Sequence, residues 1–239
     1  MSKKAENRQN DIYSQILSNG EVKVVDLAKL YHVSMETIRT DLSTMENQGL
    51  IKKIHGGATL KESYSEVSVE YKMTENASDK QLIAKKALEY IQDGSTIFLD
   101  PGSTTLALAK YLPLKKDLLV ITNSLKIAQL VSETNHDLIF LGGKMLKKAK
   151  ATTGSFTNNH LDSLHIDTCF MGCDGFMNMD GPTTFAFEEM EVKQHALRNS
   201  TKKYLLADTS KFHKTGTYKL ANFSDFDCIF TTFLNNYER

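Results

Sequence analysis

From residue 79 onward, short apolar runs alternate with helical patterns, and that alternation leaves few folds open. Strands are expected at 96–100, 118–122, 137–141, 167–171, 203–207 and 227–232. Helical spacing fills 80–91, 104–111, 125–133, 157–164 and 187–199, between most of those strands. Short buried strands separated by helices imply an α/β domain whose mostly parallel sheet is covered on both faces. In such sheets ligands bind at the carboxyl ends of the strands. No internal repeat or low-complexity run interrupts the pattern.

The ends of these strands are polar and glycine-rich. The first runs into Asp100-Pro101-Gly102-Ser103-Thr104-Thr105 and then a helix. Backbone N–H groups of such a loop, with three hydroxyls, suit an anion such as phosphate. Gly102 permits close backbone approach. A capped helix after a turn explains Ser103 or Thr104 but not the whole run. Further tips carry Thr122-Asn123-Ser124, Gly142-Gly143, Gly172-Cys173-Asp174-Gly175 and Asp208-Thr209-Ser210-Lys211. One of these alone is a turn; five on one sheet edge are a pocket.

The N-terminal part has a different texture. At 10–17, Ile12, Ile16 and Leu17 take helical spacing, and Asn19-Gly20 stops the helix. Val24, Val25, Leu27, Ala28 and Leu30 carry the next apolar stripe, His32 makes a turn and Val33 points inward. Ser34 is a fair N-cap for a second helix, in which Ile38, Leu42 and Met45 bury one face. That leaves Met35, Glu36, Thr37, Arg39, Thr40 and Ser43 outward, at positions that reach base edges and phosphates in a helix-turn-helix. Gly49 ends the helix and Leu50-Ile51 begin a strand. Lys52, Lys53 and His55, closed by Gly56-Gly57, form a wing suited to the DNA backbone or minor groove.

Bulk properties bound the reading. The 239 residues suit one or two domains, and 41% hydrophobic with 24% charged residues is ordinary for a soluble globular chain. No apolar run is long enough to span a bilayer, and the polar N-terminus lacks a signal peptide. The three cysteines, Cys169, Cys173 and Cys228, form no paired framework, so reduced thiols in a cytoplasm are expected. The formal net charge is +0. Basic and acidic groups nearly balance over 1–60 too, so DNA affinity must come from clustering on one face and from dimerisation.

The segment VSMETIRTDLSTMENQGLIKKIHGGA resembles the winged helix-turn-helix of the DeoR family of bacterial transcriptional regulators. Val33, Ser34, Thr37, Ile38, Arg39, Asp41, Leu42, Gly49, Leu50, His55, Gly56, Gly57 and Ala58 stand where that family's pattern has them. Thr40 stands where the family usually has a second arginine, which leaves Arg39 to carry more of the electrostatic work. The C-terminal part is similar to the same family's sensor domain, itself like the ribose-5-phosphate isomerase fold. There the Asp-x-Gly-Ser-Thr loop matches Asp100, Gly102, Ser103 and Thr104. Thr-Asn-Ser matches 122–124, Ala-Asp-x-Ser-Lys matches Ala207, Asp208, Ser210 and Lys211, and a Glu-x-Glu-Val-Lys helix matches Glu189, Glu191, Val192 and Lys193.

The resemblance implies a cytoplasmic regulator, a repressor of a carbohydrate operon, acting as a homo-dimer or homo-tetramer without a cofactor or a membrane. Its partners are operator DNA and a phosphorylated sugar. The expected organisation is a DNA-binding head at 5–60, with its helix-turn-helix at 22–41, a linker at 61–78, and a sensor at 79–235. DNA contacts fall to Ser34, Met35, Glu36, Thr37, Arg39, Thr40, Lys52, Lys53, His55 and Gly56. Effector contacts fall to Asp100, Gly102, Ser103, Thr104, Thr105, Asn123, Ser124, Gly142, Gly143, Asp174, Asp208 and Lys211, with phosphate on Ser103–Thr105.

Two other classes compete. A sugar-phosphate isomerase with an appended head needs a carboxylate base. The isomerase pattern has two aspartates after the fourth strand, and Met171 holds the first of those positions here. Glu188, Glu189 and Glu191 read instead as a solvated helix face. A sugar-phosphate-binding scaffold without DNA contact is the third class. Cys169 and Cys173 with His160 and His165 lack the three or four converging ligands of a zinc site. Phe185, Phe187, Phe223, Phe226 and Phe233 read as core or subunit contacts.

Overall fold

A computed structural model describes residues 3–60, 69–232 and 237–238. The chain divides into two compact units, Met1–Tyr71 and Lys72–Arg239.

In the first unit, helices α1 (Lys3–Asn19), α2 (Val24–Tyr31) and α3 (Met35–Asn47) pack with three short strands, β1 (Glu21–Lys23), β2 (Ile51–Ile54) and β3 (Gly57–Leu60). The strands pair antiparallel in the order β1-β3-β2. Ile12, Ile16, Leu27, Ile38, Leu42 and Met45 are all but fully buried and make the core with Leu50, Ile51 and Ala58. The helix spacing at 38, 42 and 45 therefore does what a 3.6-residue period demands: one stripe inward. Val25 and Leu30 depart from the expected α2 stripe and are exposed. Helix α1 starts well before residue 10, because Arg8 and Gln9 both reach Asp41 on α3. Leu17's side chain lies outside the described residues.

The turn between α2 and α3 sits on His32, whose φ of 52° is left-handed. Its N–H returns to the α2 carbonyls of Ala28 and Lys29, which closes the helix. At the β2–β3 hairpin, Gly56 takes a φ of 76° that a side chain resists, and a Cβ on Gly57 would strike the Val22 carbonyl of β1. The two glycines thus make the turn and let the third strand dock.

The second unit is a seven-stranded sheet between helices. Helix α4 (Val69–Thr74) carries the chain across the division at 71–72, and the elements that follow are α5 (Ala77–Leu88), β4 (Thr96–Leu99), α6 (Ser103–Ala109), β5 (Leu119–Thr122), α7 (Leu125–Val131) and β6 (Asp137–Phe140). There follow β7 (Lys144–Leu146), β8 (Ala151–Thr153), α8 (Ser155–Asp162), β9 (Ile166–Met171), β10 (Thr183–Thr184) and α9 (Phe187–Arg198). The last strands are β11 (Ser200–Leu206), β12 (Tyr218–Lys219), β13 (Cys228–Phe230) and β14 (Tyr237–Glu238). The sheet order is β14-β13-β11-β9-β4-β5-β6. All neighbours run parallel except β14 against β13.

Burial on both faces explains the unbroken apolar runs. Ile97, Leu99, Phe170, Tyr204 and Leu206 face α5, α6 and α7. Phe98, Cys169, Met171 and Leu205, their alternates, face α8 and α9. Each fully buried Leu, Ile or Phe of these layers contributes about 1.5–3 kcal/mol. Two hairpins, β7–β8 and β10–β12, lie off the main sheet. The stretch expected as a linker is ordered in part: α4 and the start of α5 occupy it, and 61–68 lie outside the described residues.

Candidate functional site

In the first unit, α3 presents Met35, Glu36, Arg39 and Thr40 to solvent. Ser34 caps the helix by accepting the Thr37 N–H at 3.1 Å, and the two hydroxyls meet at 2.9 Å. Both are therefore tied to the helix start, the end of a helix that favours a phosphate. Thr40 donates to the Glu36 carbonyl at 3.0 Å, so its hydroxyl donor is spent within the helix. Arg39 lies 3.2 Å from Glu36, with side chains 57% and 77% exposed. Such a pair is weak and easily traded for a phosphate.

Lys52, Lys53 and His55 are exposed on β2 and the hairpin tip, with Gly56. Lys53 reaches back to α3, donating to Ser43 Oγ at 3.0 Å, while its N–H meets Glu46 Oε1 at 2.9 Å. Recognition helix and hairpin are thus one surface. Beneath it lies Asp41, 4% exposed, accepting Arg8 Nε at 2.6 Å and Gln9 Nε2 at 2.9 Å. The motif Arg-x-Asp-Leu therefore splits by role: Arg39 faces out, and Asp41 pins α1 to α3.

In the second unit, the carboxyl ends of β11, β9 and β4 bring together Asp208 and Lys211, Asp174, and the 100–105 loop. Asp100 is buried and ion-paired with Lys193 of α9. Its Oδ2 also accepts the Gly172 N–H at 2.9 Å, and Lys193 donates to the Gly172 carbonyl at 3.1 Å. The loop is closed from within: Thr105 Oγ1 donates to the Asp100 carbonyl at 2.5 Å and accepts the Gly102 N–H at 3.0 Å. Thr105, expected among the effector contacts, is fully buried with its hydroxyl engaged by the loop itself. The Ser103 and Thr104 hydroxyls have no hydrogen-bond partner among the described residues. Ser103 and Lys80 line one cavity of about 240 Å³ between α5 and α6.

Asp174 and Asp208 are held by lysines. Lys72 Nζ meets Asp174 Oδ1 at 2.6 Å, while Asp174 Oδ2 accepts Thr184 Oγ1 and the Phe185 N–H, each at 3.0 Å. Lys80, 2% exposed, lies 3.4 Å from Asp208 Oδ2. Burial alone would raise both carboxyls; Lys72 and Lys211 at Asp174, and Lys211 and Lys80 at Asp208, outweigh it and hold both far below the usual carboxylate range. Burial pushes the Lys80 ammonium down, against the pull of Asp208. Lys211 is buried and makes no hydrogen bond among the described residues through its ammonium group.

The remaining expected contacts lie farther along the edge. Ser124 caps α7, and Asn123 donates to the Thr152 carbonyl of β8 at 2.8 Å, so both serve the local backbone. Gly142-Gly143 follow β6, the outermost strand, and Gly142 accepts Thr157 Oγ1 at 2.7 Å. From β11 to β6 is four interstrand steps of about 4.8 Å, roughly 19 Å in all. The compact cluster is thus 100–104, 174, 208 and 211, with the glycine pair at the far end.

Three lysines, Lys72, Lys80 and Lys193, and Thr184 enter the cluster without having been singled out as contacts in the sequence. Glu189 departs from the solvated face expected of its helix: it is 8% exposed and accepts Thr184 Oγ1 at 2.9 Å. Phe226 is buried in the core, whereas Phe187 is exposed and edge-on to Tyr218. Phe233 lies outside the described residues. Among the described residues no group of three or more His, Cys, Asp and Glu side chains is arranged around a common metal position, and no helix is long and apolar enough to cross a membrane.

Residues 8–64 match the DeoR-like helix-turn-helix domain and 75–232 match the DeoR C terminal sensor domain. The chain is 34% identical over 226 residues to the HTH-type transcriptional regulator GolR of Listeria innocua serovar 6a, covering 94% of this chain and 89% of that one. It is 34% identical over 224 residues to the lactose phosphotransferase system repressor of Streptococcus mutans serotype c, covering 90% and 88%. Among solved structures, ribose 5 phosphate isomerase A from Neisseria gonorrhoeae aligns with a TM-score of 0.41 at 19% identity, over 59% of this chain and 54% of that one. With both domain matches in order along the chain and relatives of 34% identity over most of its length, the chain belongs to the DeoR family of transcriptional regulators.

Proposed function

We propose that this regulator represses a carbohydrate operon and is released or engaged by a phosphorylated sugar. A head at 5–60 reads operator DNA with Met35, Glu36, Arg39 and Thr40 in the major groove. Ser34, Thr37, Lys52, Lys53, His55 and Gly56 hold phosphates. The effector sits in the unit assigned here to 79–235, with 61–78 joining the two. Its phosphate lies on the Ser103–Thr104 hydroxyls and loop N–H groups, and its hydroxyls meet Asp174, Asp208 and Lys211. The balanced charge of the head favours a homo-oligomer, since two heads multiply a modest single affinity. The cytoplasm is where such a protein meets DNA and sugar esters.

The observation that carries the effector reading is Lys211: a buried ammonium group with two lysine-held carboxylates beside it and, on the neighbouring loop, two hydroxyls without a hydrogen-bond partner among the described residues. Binding without turnover fits the same geometry. A carboxylate held far below its usual range is a poor general base, and Asp174 is so held. Met171, where the isomerase pattern has an acid, is buried among the core side chains of β9.

The test is binding of the chain to DNA upstream of its own gene, with and without a panel of sugar phosphates. Arg39→Ala should weaken binding about tenfold and reduce the salt slope by about one; unaltered binding rejects the recognition-helix assignment. Ser103→Ala with Lys211→Met should abolish the sugar-phosphate response while leaving DNA affinity intact. A surviving response rejects the pocket.

A further inference from the structure

The segment 72–76 touches the candidate effector site at several points. Lys72, the first residue of the second unit, pairs with Asp174. Asn76, at a left-handed φ of 50°, donates to Asp208 Oδ1 at 3.2 Å. Lys80 caps the carbonyls of Lys72 and Glu75 while its charge rests against Asp208. Lys214 meets Glu75 Oε1 at 2.8 Å. Two carboxylates assigned to ligand hydroxyls therefore also hold the chain that comes directly after the first unit.

The two oxygens of Asp174 are not equivalent. Neutral donors from Thr184 and Phe185 fix Oδ2, and the Lys72 ammonium takes Oδ1. A buried carboxylate oxygen cannot be left bare without a cost of several kcal/mol, so Lys72 leaves only if another donor arrives. A sugar hydroxyl is such a donor, and the displaced Lys72 ammonium, already partly exposed, returns to water. That makes Lys72 a two-position element whose balance ligand occupancy sets.

Resting on the effector reading above, we propose that Lys72 is an exchangeable latch: it occupies Asp174 Oδ1 in the free protein, gives way to a hydroxyl of the bound sugar phosphate, and thereby removes one of the ties on the segment 72–76. Occupancy of the pocket then changes how firmly the chain leading from the DNA-reading unit is tied to the sheet. Because coupling is reciprocal, an unlatched protein must also bind the sugar phosphate more tightly.

The experiment uses the full chain and its Lys72→Met and Lys72→Arg variants. Calorimetric titration with glucose 6-phosphate, fructose 1-phosphate, fructose 1,6-bisphosphate, ribose 5-phosphate and inorganic phosphate is paired with binding to the upstream DNA. Lys72→Met should bind the active sugar phosphate about tenfold more tightly. Without any ligand, its DNA affinity should equal that of the native chain at saturating ligand, and ligand should no longer move it. Lys72→Arg, which keeps the cation, should restore the native response. Asp174 Oδ2 keeps its two neutral donors, and circular dichroism of Lys72→Met beside Lys72→Arg, which keeps Oδ1 paired, separates loss of the latch from loss of the fold. Weaker ligand binding by Lys72→Met would make Lys72 a plain ligand contact and overturn the latch. Unchanged binding and response would overturn it too, while leaving the pocket assignment standing. A native chain that binds none of the probes takes down the pocket reading, and the latch with it.

Discussion

The two units treat charge in opposite ways. In the first, the groups assigned to DNA stay in water: Arg39 and Glu36 are mostly exposed, and among the described residues a single carboxylate, Asp41, is buried. In the second, Asp100, Asp174 and Asp208 are buried together with Lys80, Lys193 and Lys211. The contrast follows from the ligands. A nucleic acid brings a continuous polyanion to a surface, and counterion release supplies the affinity without prior desolvation. A small ester offers few charges, so a pocket must hold its partners already desolvated and oriented. The cost of that preparation falls on folding. The second unit therefore carries stability that depends on matched charges, whereas the first depends on its apolar core and one pin.

The largest effect should come from unmatching the deepest pair. Lys193→Met leaves Asp100 buried with one backbone N–H and no cation, at a cost of about 3–5 kcal/mol. Urea unfolding followed by circular dichroism should show the loss in the transition of the second unit alone. Asp100→Asn added to Lys193→Met should recover much of it, because a neutral pair needs no counter-charge. A loss below about 1 kcal/mol in the single variant would mean that charge matching does not govern this unit.

Asp41→Ala is the counterpart in the first unit, and its effect should be smaller, about 2 kcal/mol. Arg8 is partly exposed and can return to water, so only Gln9 is stranded. DNA affinity should fall with the stability of α1 against α3 and recover on cooling or with a stabilising co-solute. A variant that folds fully yet still fails to bind would place Asp41 in recognition itself and break the division of roles along α3.

The elements that sequence made visible are those set by near-neighbour pattern. Ile38, Leu42 and Met45 mark a helix face, and the apolar runs at 96–99 and 203–206 mark strands buried on both sides. The hairpin β7–β8 escapes because its strands are three residues each and β8 is buried at every position, so no alternation marks it, and β1 because three residues carry no period. The site was legible at the strand ends, where topology alone gathers the tips. Its lysines were not: Lys193 finds Asp100 across 93 positions and Lys72 finds Asp174 across 102. Glu189 is hidden for a different reason: its partner Thr184 is only five positions away but belongs to a two-residue strand that leaves no trace in composition. A buried charge is visible in sequence only when its partner is near, and the second unit pairs its charges at long range.

The smallest expected effect is an absence of change, and it separates the units most cleanly. All three cysteines, Cys169, Cys173 and Cys228, lie in the second unit. Burial pushes the Cys169 and Cys173 thiols up to about 12, and Cys228 is 2% exposed. The thiolate is the nucleophile, so iodoacetamide near neutral pH should modify Cys169 and Cys228 only through openings of that unit, with Cys173, which is partly exposed, replaced by serine for the measurement. Lys193→Met lowers the cost of those openings and should speed modification steeply. Asp41→Ala destabilises the other unit and should leave the rate within about twofold of native. If Asp41→Ala accelerates alkylation as Lys193→Met does, the two units unfold as one cooperative body, and the contrast in how they carry charge does not translate into separate stabilities. If neither changes the rate while both lower stability, the thiols open through local motion at the β9 and β13 strands, and the charge cluster is not what holds those strands closed.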